Sequence, residues 1–218
     1  MIVSRGRGYI FVHIPKTGGT ALMLALEARA MRDDILIGDT PKARRRRIRL
    51  KGVQTAGRLW KHSRLADIEG LITREEMERL FVMTLVRNPW DRMASYYHWL
   101  RAQRFAHPAV VLARQFDFSA FLHHPQTRGS IAANPYPSYV ALPGGGEGCR
   151  LYARVEHFAE DIAPFEAHCG FRLTPLARAN ASERARDWRG YYTDADAAVV
   201  AEICASDIAR FGYRFDPA

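Results

Sequence analysis

Hydrophobic and polar positions alternate along the chain in blocks that switch between strand and helix periods. The apolar run Tyr9-Ile10-Phe11-Val12 enters a turn carrying Gly18-Gly19, and an almost wholly apolar stretch from Ala21 to Leu26 leaves it. That pattern predicts a strand over 8–14 and a helix over 19–31. The run Leu80-Phe81-Val82-Met83-Thr84-Leu85-Val86 predicts a second strand over 80–86. After it, Trp90, Met93, Tyr97 and Leu100 recur at helical spacing and predict a helix over 89–104 with that stripe in the core. Pro89 suits its first turn.

Weaker patterns fill the rest. A strand is expected near Ile48 to Gln54, and helices from Ser63 and from Thr73, where Thr73-Arg74-Glu75-Glu76 has the form of a capping box. A short helix is expected around Ser119 to His123. Pro135, Pro137, Pro143 and Gly144-Gly145-Gly146 mark a long loop. A strand over Leu151 to Val155, a helix over 157–169 and a last helix from Thr193 to about Arg210 complete the order. Tyr191, Tyr192, Phe211, Tyr213 and Phe215 are expected to pack that last helix on the sheet. Strands alternating with helices predict an α/β fold, a central parallel sheet flanked by helices. No repeat, low-complexity tract or linker divides the chain, so one domain over 1–218 is expected.

The first strand–turn–helix has chemistry of its own. A strand turning through Gly18-Gly19 into a helix presents backbone N–H groups and the positive helix end, a site for an anion such as phosphate. Lys16 adds a full charge, and Thr17 and Thr20 add hydroxyls. A Walker A loop puts its lysine and hydroxyl after the second glycine, where they serve the terminal phosphates and magnesium. Here Lys16 precedes both glycines and the loop is shorter, which disfavours an ATPase or kinase while leaving a related scaffold open.

The segment HIPKTGGT, starting at His13, and the later VRNPWDRMASYY, starting at Val86, together resemble the sulfotransferases that use 3′-phosphoadenosine 5′-phosphosulfate (PAPS). The similarity is greatest to the branch of carbohydrate sulfotransferases and their bacterial relatives, and it extends through RVEHFAEDI, Asn180-Ala181-Ser182 and DIARFGYRF. The resemblance implies a P-loop-like sulfotransferase fold with PAPS as sulfuryl donor. It makes Lys16, Thr17, Gly18, Gly19, Thr20 and Ala21 the 5′-phosphosulfate loop, and Arg87 with Ser95 the 3′-phosphate site. Arg184 and Arg186 are candidates for the same phosphate or for the surface.

Sulfuryl transfer rests on positioning and on stabilising the leaving oxygen, which Lys16 and the loop amides supply. It requires no metal, and no metal-ligand spacing is present. A base for the acceptor hydroxyl is still needed, and eight histidines are available. His62 lies between the two motifs, where the similar family carries a histidine implicated as base. The alternative for His62 is an exposed residue near a helix start. His13, inside the strand pattern, reads as a packed core residue, and Glu27, a rival base, lies far along the first helix.

Composition suits one enzyme domain: 218 residues, 48% hydrophobic. Three well-separated cysteines, Cys149, Cys169 and Cys204, suggest reduced thiols and a cytoplasmic setting. No uncharged run is apolar enough to span a bilayer. The formal charge is +9, and seven of the positive charges fall between Lys42 and Lys51 with no acid among them. That run reads as a solvated face, as a patch attracting an anionic glycan, or as an unspecific nucleic-acid contact. It has no motif for reading a specific nucleic acid. A P-loop-like kinase or NTPase and a non-catalytic anion-binding protein stand as rival functions; the acceptor and the oligomeric state stay open.

Overall fold

Buried strand residues organise the first part of the chain. The computed structural model describes residues 1–176, 184–185 and 187–216. Packing divides the chain into two units, Met1–Val86 with Tyr136–Asn180, and Arg87–Pro135 with Ala181–Ala218. Asn180-Ala181-Ser182 and Arg186 lie outside the described residues.

The first unit holds strands β1 (Ile2–Ser4), β2 (Tyr9–Val12), β3 (Ile35–Leu36), β4 (Phe81–Val86) and β5 (Cys149–Arg154). Its helices are α1 (Gly19–Ala28), α2 (Pro41–Arg46), α3 (Arg74–Arg79), α8 (Phe158–Asp161) and α9 (Ala163–Cys169). The sheet order is β3-β1-β2-β4-β5. β2, β4 and β5 form the expected parallel run. β1 pairs antiparallel with β2, and β3 antiparallel with β1. A connection as short as that from β1 to β2 allows only an antiparallel hairpin. β1 and β3 have three and two residues, too few to show a period in sequence.

β2 is wholly buried, and β4 nearly so. A strand covered on both faces reads as a continuous apolar run, which is why the two were visible. Tyr9, Phe11, Met83 and Leu85 share one core with Leu22, Met23 and Leu26 of α1 and Phe165 of α9. The Thr84 hydroxyl, buried in β4, donates to the Val12 carbonyl at 2.8 Å.

Several expected elements differ. The segment from Ile48 to Gln54 forms no strand; Arg47–Leu50 is a 3₁₀ turn following α2, which Thr40 caps and Pro41 begins. Ser63 does not start an α-helix. Its buried hydroxyl accepts from the Trp60 N–H and donates back to the Arg58 carbonyl, closing a turn. The expected helix over 157–169 is divided at Ile162, with Pro164 in the first turn of the second piece. The capping box at Thr73 is present.

The second unit contains α4 (Pro89–Arg101), α5 (Pro108–Gln115), α6 (Phe118–His123), α7 (Pro125–Ala132), α10 (Asp194–Ile203) and α11 (Ala205–Phe211). α5 and α7 were not anticipated, and the last helix breaks at Cys204. Trp90, Met93, Tyr97 and Leu100 face the core as predicted, with Phe118, Phe121, Trp188 and Val200. Tyr191, Tyr192, Tyr213 and Phe215 pack on this helical cluster rather than on the sheet, and the Phe211 ring meets that of Tyr213. The aromatic spacing revealed burial but not the partner. No described helix is long and apolar enough to cross a membrane.

Asp196 ties α6 to the start of α10. It is 1% exposed and accepts from the Thr193 N–H, the Thr193 and Ser119 hydroxyls and His123. Asp196→Ala should cost about 2–4 kcal/mol, because several donors lose a charged acceptor at once. His123→Ala, which removes only its half-exposed partner, should cost under about 1 kcal/mol in the same urea titrations.

Candidate functional site

The chain leaves β2 through buried His13 and Ile14 and turns at Pro15-Lys16. Lys16 has φ +66°, making it the one non-glycine with left-handed backbone among the described residues. Strain of that kind concentrates at functional loops. Gly18 is left-handed too, at φ +77°, and α1 begins at Gly19 with no side-chain cap and no acid in its first turn. Neither a cap nor an acid of its own first turn thus offsets the positive end of α1.

Gly19 is fixed by a neighbour. A Cβ there would lie 2.2 Å from Cδ2 of His13, so the ring of His13 sits where any other residue would put its side chain. The Thr17 hydroxyl, expected to face a ligand, is instead buried and donates to the Ile14 carbonyl at 2.9 Å. The Ala21 N–H bonds the Gly18 carbonyl at 3.1 Å. Thr17 and Ala21 therefore shape the loop from within, while Lys16 and Thr20 are half-buried and Gly18 is exposed.

His62 belongs to the same unit and sits behind this loop. Its Nδ1 lies 2.8 Å from the His13 carbonyl oxygen. A carbonyl only accepts, so Nδ1 carries the proton and the lone pair is on Nε2. The rings of His13 and His62 meet edge to face at 4.7 Å, and Trp60 meets His62 at 5.1 Å. Burial pushes the His62 pKa down to about 3 against the pull of the His13 carbonyl, so the ring is neutral at pH 7. His13 is 5% exposed, and burial lowers its pKa too, with His62 adding to the effect. It is the packed residue expected, but its packing is what holds Gly19. Glu27 is buried and accepts from the Thr40 hydroxyl at 2.6 Å.

In the second unit, Arg87 follows β4 in the chain and Asn88 caps α4. Arg87 pairs with Asp91 at 2.7 Å, and Arg184 grips the other oxygen of the same carboxylate. Ser95 is buried one turn beyond Asp91. Arg184 Nη1 and His98 Nε2 are buried without hydrogen-bond partners among the described residues. Burial lowers the pKa of His98, and Arg184 and Arg101 lower it further. Two guanidiniums thus converge on one carboxylate. His98 is the residue that sequence reading missed; it shares a face of α4 with Asp91 and Ser95, at i+7 and i+3.

The basic segment divides into two sets. Lys42 donates to the Glu27 carbonyl, Arg46 to the carbonyls of Met31 and Asp34, and Arg49 to that of Arg32. These three cap the end of α1 and the chain beyond it. Arg44, Arg45, Arg47 and Lys51 are exposed.

No family model and no curated protein sequence matches the chain. Among solved structures it is similar to the mouse sulfotransferase SULT7A1 complexed with PAP, at a TM-score of 0.46 and 16% identity, over 93% of this chain and 84% of that one. At that distance the likeness carries no functional weight.

Gly19→Ala should displace the His13 ring and destabilise the protein by about 1–3 kcal/mol in urea titrations, as overpacking does. The depressed pKa of His62 also sets a pH dependence. The unfolded state binds a proton near pH 6.5 that the folded state resists down to about 3, so stability is full above 6.5 and is lost as pH falls across that window. His62→Asn, which keeps a donor for the His13 carbonyl, should flatten the fall by up to about 1.4 kcal/mol per pH unit, read from unfolding curves between pH 6.5 and 4.

Proposed function

We propose that the chain is a PAPS-dependent sulfotransferase of the carbohydrate-sulfotransferase-like branch, one catalytic domain over 1–218, that sulfates a hydroxyl on a carbohydrate. The observation that carries this reading is the loop from His13 to Ala21. It joins a left-handed lysine, an uncapped helix end and a neutral histidine bonded to the loop's own first carbonyl.

The residues fit the donor's two charged ends. Lys16 and the α1 terminus suit the phosphosulfate. Arg87 and Ser95, with the buried unpaired atoms of Arg184 and His98 nearby in the chain's second unit, suit a 3′-phosphate. When bound, the donor supplies an activated sulfuryl group, whose sulfur–oxygen bond to the 5′-phosphate breaks as the acceptor oxygen bonds to sulfur. Lys16 and the amides of Gly18, Gly19 and Thr20 stabilise the charge that grows on the leaving phosphate oxygen. Thr17 and Ala21 keep those amides in place. His62 takes the acceptor's proton at Nε2 while the His13 carbonyl holds Nδ1–H. Arg87 and Ser95 select a 3′-phosphate, which ATP lacks. Three well-separated cysteines support a reducing, cytoplasmic setting.

Calorimetric titration with 3′-phosphoadenosine 5′-phosphate, ATP and 5′-AMP tests the donor. The 3′,5′-bisphosphate should bind most tightly, and Lys16→Ala and Arg87→Ala should each weaken it by roughly tenfold or more. Preference for ATP with magnesium, or no nucleotide binding by the folded chain, would overturn the reading.

His62→Ala should leave bisphosphate affinity intact and lower kcat by roughly 10²–10⁴. With the free-enzyme pKa of His62 at about 3, kcat/KM should show no His62 limb near pH 6.5.

A further inference from the structure

A cavity of about 210 Å³ lies in the first unit, lined among others by Asp39, Arg47, Arg58, Leu59, Trp60 and Lys61. Its walls carry three cations and one carboxylate. Lys61 and Asp39 pair at 3.3 Å, which leaves the charges of Arg47 and Arg58 without an acid on the cavity wall. Their basic neighbours Lys42, Arg46 and Arg49 are committed to backbone carbonyls, so Arg47 belongs to the outward set. Guanidiniums bind carboxylate and sulfate through paired N–H donors.

Trp60 supplies the second component. It is 44% exposed, unusual for so large an apolar ring, and it both lines this cavity and meets the His62 ring at 5.1 Å. An open indole face is a stacking surface for the C–H face of a sugar ring. The segment is rigid: the Ser63 hydroxyl, fully buried, bonds the Trp60 N–H and the Arg58 carbonyl at 2.9 and 2.8 Å. Arg58, Trp60, Lys61 and His62 thus stand on one stapled turn, positioned before any ligand arrives. The volume suits one ring, being below the range of drug-sized pockets.

We propose that this cavity is an acceptor subsite taking one acidic sugar unit, a pyranose that bears a carboxylate or a sulfate. Arg47 and Arg58 hold the anionic group and Trp60 stacks on the ring. The ring's hydroxyl is then offered on the side of Trp60 that meets His62. Exposed Arg44, Arg45 and Lys51 extend the positive field and steer such ligands inward. The acceptor role rests on the sulfotransferase reading; the ligand chemistry does not.

The test is titration of the full chain with glucuronate, glucose 6-sulfate, glucose and acetate, followed by Trp60 fluorescence and calorimetry, with 3′-phosphoadenosine 5′-phosphate titrated in parallel. Both acidic sugars should bind at least about tenfold tighter than glucose or acetate. Arg47→Ala and Arg58→Ala should each weaken them severalfold and leave bisphosphate affinity unchanged. Trp60→Ala should erase the preference for glucuronate over acetate, and Trp60→Phe should restore part of it. Acidic sugars binding no better than acetate, or indifferent to Arg58→Ala, would overturn the proposal even if the bisphosphate binds. Acidic-sugar binding by a chain that ignores the bisphosphate would overturn the acceptor role alone.

Discussion

The contact between the His13 ring and Gly19 is the constraint on which the first unit's site depends. A side chain at Gly19 would have to occupy the space of the His13 ring, 2.2 Å from Cδ2. Because the ring fills that space, β2 can turn into α1 within a few residues and leave the helix end open, with no side chain capping it. The same residue's carbonyl fixes the tautomer of His62. One buried histidine therefore links the shape of the loop before α1 to the tautomer and orientation of His62. Burial makes this possible: a charged imidazole could not stand there without an acid, and its lowered pKa keeps it neutral.

Positive charge is used in two ways in this chain. Lys42, Arg46 and Arg49 are spent on carbonyls at and beyond the end of α1, where they complement its negative pole. Arg47 and Arg58 make no such bond among the described residues, and both line a cavity. In the second unit, Arg87 and Arg184 converge on Asp91. That carboxylate holds two side chains of high rotamer freedom in place. The formal +9 is thus neither a uniform solvated face nor a single patch.

The parallel run of the sheet was legible because β2 and β4 are buried on both faces and so spell continuous apolar segments. The core stripe of α4 was legible for the same reason in helical period. β1 and β3 escaped notice, being strands of only three and two residues, too short to spell a pattern. The expected strand after Ile48 failed because the arginines there answer to carbonyls elsewhere in the chain, which local propensity cannot register. At the site, Lys16, Gly18 and Gly19 could be read from order alone. The inward turn of Thr17, the role of His13 in fitting Gly19 and the unpaired nitrogen of His98 are tertiary facts with no local signature. Spacing along α4 was the one available hint for His98.

The low pKa of His62 bears on the base role proposed for it. A pKa of about 3 makes the free ring a weak proton acceptor, and general-base efficiency falls when basicity lies far below the working pH. Burial lowers the ring's proton affinity and the His13 carbonyl raises it, while Lys61 and the N-terminal ammonium lower it and Asp39 raises it. In the proposed reaction the same balance applies: an anion bound near the ring favours its protonated form, as negative charge does wherever screening by water is poor.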